Sequence, residues 1–231
     1  MNWRATLVAL AAALAACTPQ GPAGPERKSL PNAAGLVPLP CRAAHLKPAS
    51  PVYCLLKRNF MTPQARDVIV AAADAMAARY PGSAVVYMDA SGPDGHRPFA
   101  PHLSHGDGRE VDLALVYDDL KGRPLPRPPT LSGYGAYEPV KPGEHRACGG
   151  QKGPSEADAP PDRRWRLDEV RTKSLVSIVT ADPRVRRVFL EPHLKQRLGL
   201  AANEKIHFQG CWAGRHDDHL HVDVRDQPPG A

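Results

Sequence analysis

Two rhythms of hydrophobic positions run along this chain, and each predicts an element. Val68, Ile69, Ala72, Ala75 and Met76 recur with a helical period. Thr62-Pro63 supplies a cap and a first-turn proline, and Tyr80-Pro81-Gly82 a stop, so a helix from Pro63 to Arg79 is expected. Leu167, Val170, Leu175, Ile178 and Val179 repeat the pattern and predict a second helix from Leu167 to about Thr180, ended by Asp182-Pro183. A short third helix is expected from Pro192 to Leu198. Short apolar, β-branched runs predict strands over 84–88, 111–116, 185–190 and 206–208. In His219-Leu220-His221-Val222-Asp223-Val224 the period is two, which sets His219 and His221 on one face and Leu220, Val222 and Val224 on the other.

Between residues 121 and 164 both rhythms fade into proline and glycine, and so long a stretch inside a compact domain reads as a functional loop that walls a cleft. Residues 39–231 suffice for one sizeable core and are too few for two, so a single domain is expected. The economical arrangement of these elements is α+β, with helices flanking a small, mainly antiparallel sheet.

Upstream of that domain the pattern changes. Arg4 is the only charge before an apolar run from Ala5 to Ala16, too short for a stable membrane span but suited to a secretory signal over residues 1–16. Leu14-Ala15-Ala16-Cys17 resembles a bacterial lipobox, which would make Cys17 the lipidated first residue of the mature chain and residues 17–38 a Pro/Gly-rich tether from the membrane. Five cysteines are an odd number for an exported protein. Assigning Cys17 to lipid leaves Cys41, Cys54, Cys148 and Cys211, enough for two disulfides in an oxidising compartment such as the periplasm, with three pairings open. Without Arg4 the 30 basic residues become 29 against 24 acidic, a net charge of +5 that suits an acidic polymer such as the cell wall, or an anionic membrane surface. No basic run is long enough to track phosphates, so nucleic acid is not an expected partner.

Candidate chemistry lies in two clusters, His102-Leu103-Ser104-His105 with Asp112, and His216-Asp217-Asp218-His219-Leu220-His221. Together they hold five of the ten histidines. A hydrolytic zinc ion takes three His, Asp or Glu ligands and leaves a fourth position for water. His105, Asp112 and His221 are the candidate set. The turn Gly106-Asp107-Gly108 folds His105 back over the start of the strand that carries Asp112. His45, His96, His145, His193 and His207 read as ordinary surface or packing groups.

The segment His102-Leu103-Ser104-His105-Gly106-Asp107-Gly108-Arg109-Glu110-Val111-Asp112, with His216-Asp217-Asp218-His219-Leu220-His221-Val222, resembles the two signatures of the penicillin-insensitive murein endopeptidases. That family sits within the lysostaphin-like, D-Ala-D-Ala-peptidase-like and hedgehog-like zinc folds. The resemblance extends from about Thr62 to Arg225, while the lipobox and the divergent insertion before Arg164 depart from it. It implies one Zn2+ per chain on His105, Asp112 and His221, His219 beside the metal water, and His102 and His216 as further active-site histidines. The implied substrate is the D-alanine to meso-diaminopimelate cross-link of peptidoglycan.

On chemical grounds the missing HExxH motif removes the usual glutamate base, and a neutral imidazole can replace it, with His219 the best candidate. His216 or His102 then stabilises the oxyanion or protonates the leaving amine. Asp107, Glu110, Asp217 and Asp218 are candidate orienters of these imidazoles, and Arg109 and Arg215 candidate partners of a substrate carboxylate. Ser104 and Cys211 lack the setting of a nucleophile. Two rivals stand beside the endopeptidase: a zinc carboxypeptidase or dipeptidase that trims murein peptides, and a non-catalytic lipoprotein that binds zinc or peptidoglycan.

Overall fold

The structure, a computed structural model, describes residues 29–95, 104–148 and 163–225; the signal segment, Cys17, His96 and His102 lie outside them. The first elements are β1 (Val37–Pro38), β2 (Leu46–Pro48), α1 (Val52–Leu55), β3 (Phe60–Met61) and α2 (Pro63–Arg79). Then come β4 (Val85–Tyr87), β5 (Glu110–Ala114), β6 (Tyr117–Asp119) and β7 (Trp165–Leu167). The last are α3 (Glu169–Ala181), β8 (Val185–Phe189), α4 (Pro192–Arg197), β9 (Ile206–His207) and β10 (His219–Val224). No helix among the described residues is long and apolar enough to cross a membrane.

Six strands form one mixed sheet in the order β2, β4, β5, β10, β8, β9. Its three inner pairings are antiparallel and its two outer ones parallel, so the class is α+β. The alternation of β10 does what its period requires. Leu220, Val222 and Val224 enter one apolar core with Val68, Ile69 and Ala72 of α2 and Leu175, Val176 and Val179 of α3, while the odd-numbered side chains face away from it. Those odd-numbered residues are buried as well, because other parts of the chain cover the second face.

Capping explains both long helices. The Thr62 side chain accepts from the Ala65 amide with Pro63 in the first turn, and α2 ends at Arg79 as expected. For α3 the cap is Asp168, whose carboxylate accepts from the Arg171 amide. Leu167, expected to open this helix, instead closes β7 opposite Tyr117. A capping aspartate must itself stay outside the helix, which moves the start downstream. At the other end, folded chain begins before Leu39: Asn32 Oδ1 accepts from Ala34 and Leu36 amides, and Val37 pairs with Met61.

The proline-rich insertion is ordered without elements of its own where it is described. Arg197 of α4 donates to Glu144 and to the Pro139 carbonyl and pairs with Glu138, which also binds Arg163. His193 Nε2 meets the Glu138 carbonyl at 2.8 Å, which gives this buried histidine its structural role. Removing one partner of such a buried pair costs about 3–5 kcal/mol, because it strands the other charge. Two disulfides, Cys41–Cys54 and Cys148–Cys211, resolve the pairing left open by the sequence. The second spans 63 residues and ties the insertion to the loop before the second histidine cluster.

The turn before β5 depends on one glycine. Gly108 has φ +79°, its amide donates to Ser91 Oγ, and its carbonyl accepts from the Thr62 amide that starts α2. A Cβ there would lie 2.4 Å from Leu36 Cδ2 and 2.9 Å from the Thr62 nitrogen. Gly108→Ala is therefore expected to destabilise the protein by more than the roughly 1–2 kcal/mol of the left-handed conformation alone. A thermal melt within a degree of wild type would contradict it.

Candidate metal centre

Asp112 and His221 face each other across β5 and β10 in direct register, so a carboxylate and an imidazole project side by side from neighbouring central strands. His105 reaches them from the preceding turn with φ +66°, a left-handed conformation that a non-glycine residue adopts only under constraint. Its amide donates to Glu110 Oε2, one source of that constraint. The three residues are buried and their ligand atoms all lie within 4.8 Å of one another.

The triangle has edges of 3.2 Å from His105 Nε2 to His221 Nδ1, 3.0 Å from His221 Nδ1 to Asp112 Oδ1, and 3.4 Å from His105 Nε2 to Asp112 Oδ1. Nitrogen and oxygen ligands set tetrahedrally at about 2.0–2.1 Å from an ion lie roughly 3.3 Å apart, so the observed edges fit one. His105, Asp112 and His221 can thus hold a metal ion. Two neutral donors and one carboxylate would leave a divalent cation with a residual positive charge.

Carboxylates support the imidazoles from behind. Glu110 Oε1 stands 3.8 Å from His221 Nε2, on the side of the ring away from the triangle. Burial pushes the Glu110 pKa up, but His221 and the His105 amide outweigh it and bring it down to about 2. Burial likewise opposes charge on His221, yet the Asp112 and Glu110 carboxylates raise its pKa to about 9. Asp112 is held well below the usual carboxylate range: His105 and His219 overcome its complete burial.

His219 lies two residues before His221 on the same face, its Nε2 3.8 Å from Asp112 Oδ1. Its Nδ1 is 2.5 Å from Asp218 Oδ1, and Asp218 Oδ2 accepts from the Gly135 amide. That pairing leaves Nε2 turned toward the triangle. Despite burial, Asp218 and Asp112 raise the pKa of His219. His216 packs against it with ring centroids 4.8 Å apart, and its backbone is clasped by Glu191 through both an amide and a carboxylate contact. Burial first, then the neighbouring His219, lowers the His216 pKa to about 2, so this ring is neutral.

Of the four candidate orienters, Glu110 and Asp218 take that role. Asp107 instead pairs with Arg109 on the surface, and Asp217 with Arg215, whose guanidinium lies 3.7 Å from the centroid of the Tyr137 ring. The two arginines proposed for a substrate carboxylate are thus already engaged within the protein. His45 pairs with Asp74, and His145 and His207 are exposed. Cys211 is oxidised and offers no thiolate.

A cleft of about 780 Å³ opens over the triangle, lined by Asp112, His216, His219 and His221, with Ser104, Tyr53, Arg58, Tyr134 and Trp212 among its walls. The insertion supplies Ser132, Tyr134 and Tyr137, so its expected place beside a cleft holds. Tyr134, Asp89 and Arg58 were not singled out from sequence. The signal for Tyr134 was Gly133-Tyr134-Gly135, an aromatic residue between glycines that both adopt positive φ. No protein-family model matches this chain, and a search of curated proteins finds no match.

Proposed function

We propose that this protein is a zinc-dependent murein endopeptidase, penicillin-insensitive and hedgehog-like in fold, that hydrolyses D-alanine to meso-diaminopimelate cross-links in the periplasm. The observation that carries the reading is a tetrahedral-sized His105, Asp112, His221 triangle beneath a cleft, with a carboxylate-backed His219 beside it. The substrate rests on the resemblance of the two histidine signatures, and export on the signal, the lipobox at Cys17 and the two disulfides. The cleft volume lies within the range of ligand-binding pockets.

Zinc in this centre would lower the pKa of a bound water to about 7 and polarise the scissile carbonyl. The residues of the chain do the remainder. His219 Nε2 takes the proton of the attacking water and hands it to the departing amine, while Asp218 holds Nδ1 and so keeps Nε2 the acceptor. Neutral His216, buried against His219, is placed to donate to the carbonyl oxygen as charge develops there. No residue here needs to be acylated, which accounts for insensitivity to a drug that acylates a serine.

Purified mature protein with zinc is expected to convert cross-linked muropeptide dimers from sacculi into monomers, and to stop when the metal is chelated. Release of terminal D-alanine with dimers intact would favour a carboxypeptidase. Binding of sacculi without any cleavage would favour the non-catalytic scaffold.

Proton competition gives a second test. In the metal-free protein His221 keeps its proton up to about pH 9, and an incoming ion must displace it. Apparent zinc affinity should therefore rise by about tenfold per pH unit from near pH 6.5 to 8.5, where one proton leaves, and fall correspondingly on acidification. A flat affinity across that range in competition titrations would count against it.

A further inference from the structure

We propose that Tyr134 is a positioning residue of the metal centre, fixing which oxygen of Asp112 faces the ion and the plane in which His219 stands. This inference rests on the reading of His105, Asp112 and His221 as a metal centre.

The phenol has one proton and two carboxylate neighbours. Its oxygen lies 2.5 Å from Asp112 Oδ2 and 3.1 Å from Asp89 Oδ2. The shorter contact is in the range of a charge-assisted O–H to carboxylate bond, so the proton is donated to Asp112. Asp89 is compensated from its other side by Arg58, whose Nε is 2.6 Å from Oδ1. The two acids are neighbours by construction, since the Asp112 amide of β5 donates to the carbonyl of Asp89, just past the end of β4. Arg58, Asp89, Tyr134 and Asp112 thus form a chain of alternating polarity that ends at the metal triangle.

The consequence for Asp112 is a division between its oxygens. Oδ2 accepts from the hydroxyl, and Oδ1 lies 3.0 Å from His221 Nδ1 and 3.4 Å from His105 Nε2. A carboxylate held in this way would offer an ion a single oxygen.

The same segment also reaches the base. The Tyr134 ring meets the His219 ring edge-on, with centroids 5.0 Å apart, and the next amide, of Gly135, binds the Asp218 carboxylate that holds His219 Nδ1. The backbone here admits few alternatives: Gly133 has φ +93°, and a Cβ on it would lie 2.2 Å from Met88 Sδ. Two consecutive residues of the insertion therefore fix both the metal carboxylate and the proton acceptor.

Tyr134→Phe keeps the ring and removes the hydroxyl. Zinc affinity, measured by competition with a chromophoric chelator, should fall about 10–100-fold, the usual effect of losing a group behind a metal ligand. In the Co2+-loaded protein the visible absorption should weaken as Asp112 turns its second oxygen to the ion and the coordination number rises. Affinity and Co2+ spectrum equal to wild type would overturn the proposal. If Tyr134→Phe does not fold, 3-fluorotyrosine at position 134 alone retains the hydroxyl. Its 19F resonance should shift when Zn2+ is added, and no shift would overturn the proposal as well. A wild-type protein that takes up no divalent ion would instead remove the metal centre itself, so the two failures are told apart.

Discussion

A His221→Ala protein is expected to carry no stoichiometric zinc and to leave muropeptide dimers uncut. His221 Nδ1 stands 3.0 and 3.2 Å from the other two ligand atoms, and without it two donors remain, fewer than a hydrolytic zinc site uses. The loss should appear in metal content and in turnover together. The fold should persist, because Leu220 and Val222 on either side keep the core face of β10. Its stability will fall, since Asp112 and Glu110 lose the imidazole between them and each keeps one partner fewer. A folded His221→Ala protein that still cleaves dimers at the wild-type rate would end the reading of His221 as a ligand of a catalytic zinc.

The second large effect is expected at His219, with a different signature. His219→Ala should keep its zinc, because none of the three ligand atoms is touched, and lose about 10²–10⁴-fold in kcat, the usual contribution of a positioned proton acceptor. That loss corresponds to about 2.7–5.4 kcal/mol of barrier. Metal analysis beside steady-state kinetics separates this variant from His221→Ala. Wild-type kcat in a zinc-loaded His219→Ala protein would assign the proton transfer to another group.

What the sequence disclosed follows from where its signals are strong. Thr62-Pro63 and the period of α2 leave little freedom, and strict alternation over residues 219–224 already set both histidines on the face opposite the core. The His105, Asp112 and His221 grouping was legible because two of its members lie on strands and the third on a glycine turn just upstream. Short elements were not. β2 is three residues ending in Pro48, and β6 and β7 pair across the insertion, so neither carries a period long enough to read. Tyr134 escaped for another reason: its role depends on Asp89 and Asp112, 45 and 22 residues away, and no local rhythm reports such a meeting. The disulfide pairing is long-range in the same way.

β10 is bonded on both edges, to β5 and to β8, and buried on both faces. A strand in that position opens only when the whole domain does, whereas turns and insertions open sooner and more often. His221 and Asp112 therefore move with the slowest part of the molecule, and His105 and Tyr134 with faster ones. The sharpness of the centre over time is set by its two loops: a lapse in the His105 turn would leave Asp112 and His221 standing in place, and one at Tyr134 would leave all three with Asp112 Oδ2 released.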